Sequence, residues 1–275
     1  MTVTLQGLTI GVSISNSPNL AELGLSEQHL DDAMTQVARH LLAAGARLVY
    51  GGDLREGGFT ELLFEFIAMH YRPPAKKRRP PVVNVLAWPV HVSMERDMLS
   101  AKIKTLESLG TVLFLGQTGT QMSKKRALME TQRSPTSTEW AAGLTHMRKR
   151  LTAMCDARVL LGGGVDQYRG VMPGVAEEAL FSIQAGKPTY LVGGFGGCVR
   201  DILSVMQIDT PSLASRLADW KGCDAFQSFR ARDLHDGLKL DECRRLATTR
   251  HIDEIVTLLL RGLARWARAQ GRRRR

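Results

Sequence analysis

Glycine clusters follow three short apolar runs of the sequence. The first is Gly51, Gly52 and Asp53 with Gly57 and Gly58 close behind, the second is Gly162, Gly163 and Gly164, and the third spans residues 193–197. Glycine lets a backbone approach a ligand closely and turn N–H groups toward an anion, and the N-terminus of a following helix adds partial positive charge. A tight turn explains any one cluster equally well. Three clusters at comparable positions favour a site for the phosphate groups of a nucleotide.

Short polar side chains end the first apolar run, among them Ser13 and Ser15. Hydroxyl groups there suit a phosphate or a ribose, and the alternative is a polar turn that leads to Pro18. The run is not followed by G-x-G-x-x-G, and G-x-x-x-x-G-K-[ST] is absent from the whole sequence. These absences argue against a dinucleotide-dependent dehydrogenase and a P-loop phosphotransferase.

Three charged residues flank the second glycine cluster. Arg148 lies beside the apolar stripe of a predicted helix, and Glu177 and Glu178 follow Pro173 and Gly174 at the start of the next one. At about 100° per residue, each glutamate lies about 130° from the centre of the apolar face, on opposite sides. Periodicity therefore does not choose between them. A carboxylate beside a ligand can bind ribose hydroxyls or stabilise positive charge at an anomeric carbon; the alternative is two solvated glutamates.

Short apolar runs alternate with helical patterns along the chain. The predicted strands are residues 8–13, 47–50, 82–88, 111–115, 157–161 and 189–192, and the clearest predicted helices are 26–44, 140–154 and 253–267. This alternation is typical of repeated βα units. We predict an α/β, Rossmann-like, doubly wound and mostly parallel sheet with helices on both faces. Ligands bind such a sheet beyond the carboxyl ends of its strands, where the glycine clusters fall.

We predict a single nucleotide-binding domain over residues 1–266, followed by a basic tail at 267–275. Two inserted loops are expected within the domain. The one near 71–81 has four prolines around four charges, and the one near 117–135 has no helical or strand periodicity. The alternation of strands and helices resumes after both, so neither is interpreted as a linker between two cores.

The 275 residues, 44% apolar and 23% charged, have an ordinary globular composition, which excludes a disordered or collagen-like chain. The formal net charge is +10, but four basic residues lie at 76–79 and seven arginines lie in the last fifteen residues. The other 26 basic residues are balanced by 27 acidic ones. Nucleic-acid binding through these two segments is the third hypothesis. A solvated helix end and tail is the preferred interpretation, because no aromatic residue interleaves with residues 76–79 and only Trp266 lies among the terminal arginines.

Four cysteines lie far apart, without C-x-x-C or a Cys/His spacing suited to zinc. We expect free thiols, no metal and no required cofactor besides a nucleotide ligand. The N-terminal sequence lacks the pattern of a signal peptide, and the sequence has no uncharged apolar stretch of 18 residues. A cytoplasmic protein without a membrane span is the expectation.

Several motifs resemble the SLOG superfamily, which includes the phosphoribohydrolase Lonely guy, the DNA-processing protein DprA and the ligand-sensing region of TRPM channels. They are V-Y-G-G-D at 49–53, M-R-K-R at 147–150, D-A-R-V-L-L-G-G-G at 156–164, P-G-V-A-E-E-A at 173–179, Y-L-V-G-G-F-G-G at 190–197 and R-R-L-A-T-T-R-H-I-D-E-I-V at 244–256. The match is weakest across 71–135. The sequence is most similar to bacterial TRPM-like SLOG domains, which accompany TIR and sirtuin-type modules in antiphage defence.

The resemblance implies a Rossmann-like fold, a nucleotide or NAD-derived ADP-ribose ligand, and homodimerisation. It also implies a TIR or sirtuin-type effector partner. In the hydrolytic members, a helix arginine and the glutamate of P-G-G-x-G-T-x-x-E act on an N-glycosidic bond, and Arg148 with Glu177 or Glu178 hold the matching positions. The chain departs from that motif: it lacks the proline before the triglycine and the G-T step, and residues 165–172 are inserted. A ligand sensor is therefore the first hypothesis, and a phosphoribohydrolase is the alternative.

Overall fold

The computed structural model describes residues 4–52, 54, 58–70, 80–208 and 219–273. Within them the strands are β1 (Thr9–Ser15), β2 (Arg47–Tyr50), β3 (Val82–Leu86), β4 (Thr111–Leu115), β5 (Gln121–Met122), β6 (Ala157–Gly162) and β7 (Thr189–Val192). They form one sheet in the order β5-β4-β3-β2-β1-β6-β7. Every neighbouring pair is parallel except β4 and β5. The predicted mostly parallel sheet is confirmed.

Helices connect the strands on both faces of the sheet. They are α1 (Glu27–Ala43), α2 (Phe59–His70), α3 (Trp88–Val92), α4 (Arg96–Glu107), α5 (Lys124–Met129), α6 (Ser137–Met154), α7 (Gly174–Gln184), α8 (Gly197–Val205), α9 (Leu240–Thr248) and α10 (Ile252–Arg273). Three short 3-10 turns, Gly193–Phe195, Cys223–Phe226 and Ala231–Leu234, complete the regular structure of the described residues. The Rossmann-like α/β class predicted from the sequence is confirmed.

Helix α1 illustrates how local sequence sets these boundaries. Its buried positions include Leu30, Met34, Val37 and Leu41, which recur at helical spacing along one face. The helix stops because Gly45 adopts a left-handed φ of +90°, which is costly for other residues. The N–H groups of Gly45 and Ala46 then donate to the carbonyls of Leu42 and Leu41, so the last turn is satisfied.

Alternate strand residues face two separate helix layers. In β6, for example, Val159 and Leu161 pack in the core formed with α1, α2, α4 and α10, whereas Leu160 packs in the core formed with α7 and α8. Helix α6 covers the second face farther along the sheet through Met147 and Leu151. Because both faces are covered by apolar helix surfaces, β3 and β6 are buried throughout their length.

Several expectations need correction. Residues 117–135 contain β5 and α5 rather than only an irregular loop, because a two-residue strand and a six-residue helix are too short to show periodicity. Residues 82–88 do not all form a strand, since Trp88 begins α3. Helix α10 continues six residues beyond the predicted end at 267, to Arg273. Most of the proline-rich loop, residues 71–79, lies outside the described residues.

A membrane-spanning helix needs about 20 consecutive, predominantly apolar residues. Among the residues that the structure describes, none of the helices is both long enough and apolar enough to cross a bilayer.

His91 in α3 is a fully buried titratable residue. Its Nε2–H donates to the carbonyl of Leu115 over 2.9 Å, and its Nδ1 has no partner among the described residues. Burial lowers the pKa of His91, although the Leu115 carbonyl and the nearby Glu130 carboxylate act in the opposite direction. The native state therefore prefers the neutral imidazole.

We predict that the free energy of unfolding falls as the pH drops below about 6.5, the pKa of an unfolded-state histidine. The unfolded chain then binds a proton that native His91 resists, and the loss ends below the native pKa. Urea unfolding at pH 7.5 and 5.5 checks this, with His91→Gln removing part of the difference. His146→Gln is the matched control, because His146 also bonds a carbonyl but is only half-buried. An unchanged pH difference in His91→Gln would contradict the prediction.

Candidate functional site

The order of the strands reverses at β1. The chain proceeds from β1 outward through β2, β3 and β4, and then returns through α6 to place β6 on the other side of β1. The connection after β1 leads toward β2, whereas the connection after β6 leads the opposite way, toward β7. This divergence opens a crevice at the carboxyl ends of β1 and β6. The residues at this crevice are Ser15, which pairs in register with Gly162, and the glycines that follow.

The triglycine forms one wall of the crevice. Gly162 and Gly163 have φ values of +63° and +103°. A Cβ atom on Gly162 would lie 2.6 Å from the Ser15 carbonyl oxygen, and one on Gly163 would lie 2.2 Å from Cys198 Sγ. The N–H of Gly164 donates to Ser15 Oγ over 3.0 Å. Glycine is therefore required here by the close approach of β1 and α8, and the exposed Ser15 hydroxyl and half-buried Gly164 line the opening.

The Cys198 thiol lies directly behind this wall. Its Sγ contacts the carbonyl of Gly162 over 3.8 Å. Burial, assisted by the nearby Asp201 carboxylate, raises the pKa of the Cys198 thiol far above neutrality. The thiol is therefore protonated at physiological pH and is a packing group rather than a nucleophile.

Arg148 and Glu177 form a buried ion pair beside the crevice. Arg148 Nη1 on α6 donates to Glu177 Oε2 in the first turn of α7, and Thr145 Oγ1 donates to Glu177 Oε1 over 2.6 Å. Only 7% of Arg148 and 1% of Glu177 are exposed. The alternative of a solvated Glu177 does not hold, because the side chain is buried and two donors from α6 compensate its charge.

The guanidinium of Arg148 lies against the start of α7. A Cβ atom on Gly174 would lie 2.6 Å from Arg148 Nη2, so a side chain there would have to displace the guanidinium. Arg148 Nε is buried and has no partner among the described residues. The helix begins after Pro173, which is its N-cap residue. An arginine donor and helix N–H groups together make this point of the crevice suited to an anion.

Glu178 and Ser13 belong to a different cluster, beneath the crevice. Arg158 Nη1 donates to Glu178 Oε2 over 2.6 Å and to Ser13 Oγ over 3.0 Å, and Arg158 Nε donates to Ser182 Oγ over 2.9 Å. Ser13 Oγ donates in turn to Glu178. Arg158 is fully buried. Glu178 thus forms an internal ion pair with Arg158, and Ser13 is hydrogen-bonded to both. Both residues were predicted to bind ligand, and the sequence analysis did not identify this pair.

Packing explains Gly51 and Gly52 of the first glycine cluster. A Cβ atom on Gly51 would lie 2.5 Å from Leu151 Cδ1 of α6, and one on Gly52 would lie 2.1 Å from Thr60 Oγ1. Gly58 immediately precedes α2, and its carbonyl accepts from the N–H of Glu61 in the first turn. Asp53 and Gly57, also predicted to bind ligand, lie outside the described residues.

The third cluster is also filled by protein atoms. Asn19 Oδ1 accepts from the N–H of Gly197 over 3.0 Å, and the carbonyl of Gly163 accepts from the N–H of Cys198 over 2.9 Å. A Cβ atom on Gly194 would lie 2.0 Å from the carbonyl oxygen of Thr249. The N-terminus of α8 is therefore capped from within. Among the cluster glycines that the structure describes, those of the second cluster border the crevice.

Sequence reasoning missed three contributors to this region. Thr145 precedes Arg148 by one helical turn, and that spacing was the available signal. Arg158 is the single charged residue of an otherwise apolar strand, which signals a buried partner. Gly170, whose Cβ would lie 2.6 Å from Arg148 Nη1, gave no signal because its contact depends on the path of an inserted loop.

Protein metal sites are built from clustered His, Cys, Asp or Glu side chains. Among residues 4–52, 54, 58–70, 80–208 and 219–273, no group of three or more His, Cys, Asp or Glu side chains is arranged to hold a metal ion. All four cysteines are free and buried. The polar groups beside the crevice are hydroxyls, backbone N–H groups and the Arg148–Glu177 pair, which suit an anionic or hydroxylated ligand.

The doubly wound sheet and the glycine-lined crevice at its switch point define a Rossmann-like α/β protein. The family model described as "SLOG cluster2" matches residues 4–249, and the chain belongs to this SLOG family. Membership indicates a nucleotide-related function for the fold. The comparison with curated proteins found no match.

The Arg158–Glu178 pair generates a stability prediction. Glu178→Gln leaves a fully buried guanidinium without its counter-charge, so we expect a loss of about 3–5 kcal/mol in the free energy of unfolding, measured by urea denaturation. Arg158→Met combined with Glu178→Gln should recover most of that loss.

Glu242→Gln is the matched control for Glu178→Gln. Glu242 is buried but its partners Arg261 and Arg265 are 43% and 40% exposed, so water can solvate them when the carboxylate is removed. The control should therefore lose less stability than Glu178→Gln. Equal losses in the two variants would show that the buried guanidinium is not the source of the effect.

Proposed function

We propose that this chain is a nucleotide-ligand sensor that binds an NAD-derived, ADP-ribose type signal in the crevice between β1 and β6. The observation that carries the proposal is the buried Arg148, whose unpartnered Nε lies at the start of α7 beside that crevice. A phosphate there would accept hydrogen bonds from Arg148 and gain from the N-terminal dipole of α7. Family membership supports the nucleotide class of ligand.

The polar rim of the crevice supports a ligand with a sugar. Ser15 is exposed, and Gly164 beside it is half-buried. Hydroxyl and backbone groups of this kind can bind ribose or a second phosphate without a charged side chain. The proposed ligand is therefore anionic at the α7 end of the crevice and hydroxylated at the Ser15 end.

The resemblance to TRPM-like SLOG domains supplies the biological setting of the proposal. We propose that the sensor acts in bacterial antiphage defence, with a TIR or sirtuin-type effector as partner and as a homodimer. In this setting an NAD-consuming enzyme generates the signal and the crevice detects it.

A phosphoribohydrolase is the second candidate, favoured by the Arg148–Glu177 ion pair. These are two of the residues that the resemblance assigns to hydrolysis of an N-glycosidic bond. In the structure, both carboxylate oxygens of Glu177 accept bonds from protein donors, and the pair is almost fully buried. A general acid or base must reach the reacting atoms of its substrate. The described geometry therefore favours binding over turnover.

We predict that Arg148→Ala weakens ADP-ribose binding by more than about tenfold, since a charge-assisted hydrogen bond contributes roughly 1.5–3 kcal/mol. Isothermal titration calorimetry with ADP-ribose, AMP and NAD measures this. Arg150→Ala, an exposed arginine two residues along the same helix, is the matched control and should bind as the parent does. Parent-like affinity in a folded Arg148→Ala protein, or no binding of any of the three nucleotides at millimolar concentration, would contradict the sensor proposal.

We also predict that excess protein releases no free base from AMP, cytokinin-type monophosphates or NAD, because residues 165–172 separate the triglycine from Glu177 and catalysis tolerates little misplacement of a carboxylate. Liquid chromatography after incubation measures the release. Catalytic release of base by the parent, abolished in Glu177→Gln but retained in Arg150→Ala, would replace the sensor with the phosphoribohydrolase.

A further inference from the structure

The inserted residues 165–172, termed the strap, pass over the Arg148–Glu177 pair. Gly170 lies against the Arg148 guanidinium so closely that a Cβ atom would come within 2.6 Å of Nη1. Gly174 contacts the same guanidinium from the other end of the connection, at the start of α7. The strap therefore accounts for part of the burial of Arg148, which exposes only 7% of its surface.

Two contacts fix the strap at its C-terminal half. The guanidinium of Arg169 lies 4.4 Å from the ring centroid of Trp140, in the first turn of α6. Met172 packs against Gly222, where a Cβ atom would lie 2.7 Å from the Met172 Cε. Arg169 is exposed and Trp140 is half-buried, so the first contact is a surface interaction that can break without disturbing the core.

Between its ends, the strap has few core contacts. Val165 is buried in the core formed with α7 and α8, and Met172 packs at its edge. Asp166, Gln167 and Val171 are exposed, and Gln167 adopts a left-handed φ of +52°. A segment that is anchored at both ends but exposed in the middle opens at a lower free energy than the core does.

We infer that the strap is a gate over the Arg148–Glu177 pair and that the stacking of Arg169 on Trp140 is its latch. In the closed state Gly170 shields the guanidinium, and release of Arg169 lets the middle of the strap lift while Val165 and Met172 stay anchored. The inference concerns access to Arg148, and it holds whether or not the ligand is a nucleotide. A failed binding experiment and a failed gate experiment are thus distinguishable.

Arginine modification by phenylglyoxal, followed by peptide mass spectrometry, tests the gate without a ligand. In the parent, Arg148 should react more slowly than Arg126, whose side chain is 70% exposed. Arg169→Ala should raise the reaction rate of Arg148 about two- to fivefold, because loss of a surface cation–π contact shifts the opening equilibrium by that factor. The rate at Arg126 should not change.

Lys149→Ala is the matched control. Lys149 Nζ lies 5.7 Å from the ring centroid of Phe181, so this variant removes another cation–π contact between α6 and its surroundings but leaves the strap untouched. Arg148 should react in this control as it does in the parent. An unchanged rate in Arg169→Ala, or an equal increase in Lys149→Ala, would overturn the inference.

Arg158, which is fully buried, reports on global loosening in the same digest. It should stay unmodified in every variant, and its modification in step with Arg148 would show unfolding instead of gating. Trp140→Leu should raise the rate at Arg148 as Arg169→Ala does. The double variant should react no faster than either single variant, because both changes remove one contact. Additive rates would show that Arg169 and Trp140 do not act as a latch.

Discussion

A single positive charge buried beneath the switch point constrains the surrounding elements. Arg158 lies in the second position of β6 and donates to groups from β1 and α7. Its guanidinium occupies the space beside Gly11 of β1, where a Cβ atom would come within 3.1 Å of Cζ. Since an unpaired buried guanidinium is strongly destabilising, α7 must turn Glu178 toward the sheet. The rotation of α7 about its own axis is thereby fixed.

That rotation also places the candidate site. Successive helix residues point about 100° apart, so when Glu178 faces the sheet, Glu177 faces a neighbouring element. The neighbour is α6, which presents Thr145 and Arg148 one turn apart. Both glutamates are consequently buried, each against its own arginine. This answers the ambiguity that periodicity left: neither glutamate is solvated, and only Glu177 lies beside the crevice.

The fold could be predicted from the sequence because its signals are local. The roles of several candidate site residues could not be predicted, because they depend on contacts between residues far apart in the sequence. Apolar runs such as residues 47–50 and 189–192 match β2 and β7 residue for residue, since buried parallel strands are continuous apolar segments. The sequence identified the glycines but did not distinguish their roles. Gly51 leaves room for the side chain of Leu151, whereas other glycines border the crevice, and the sequence pattern is the same in both cases. The two roles can be distinguished only when the residue that lies against each glycine in the fold is known.

The Arg148–Glu177 pair links the proposed sensor role to a change in structure. With Glu177 as its counter-charge, Arg148 is compensated in the described state, and Nε is the buried donor left over. An anionic ligand that approaches the start of α7 would compete with Glu177 for the same guanidinium, and Gly170 lies in its way. Binding would then exchange one carboxylate partner for a phosphate and displace the strap in the same step. A site arranged in this way would convert ligand binding into movement of an exposed segment. A sensor needs that property, and a hydrolase does not.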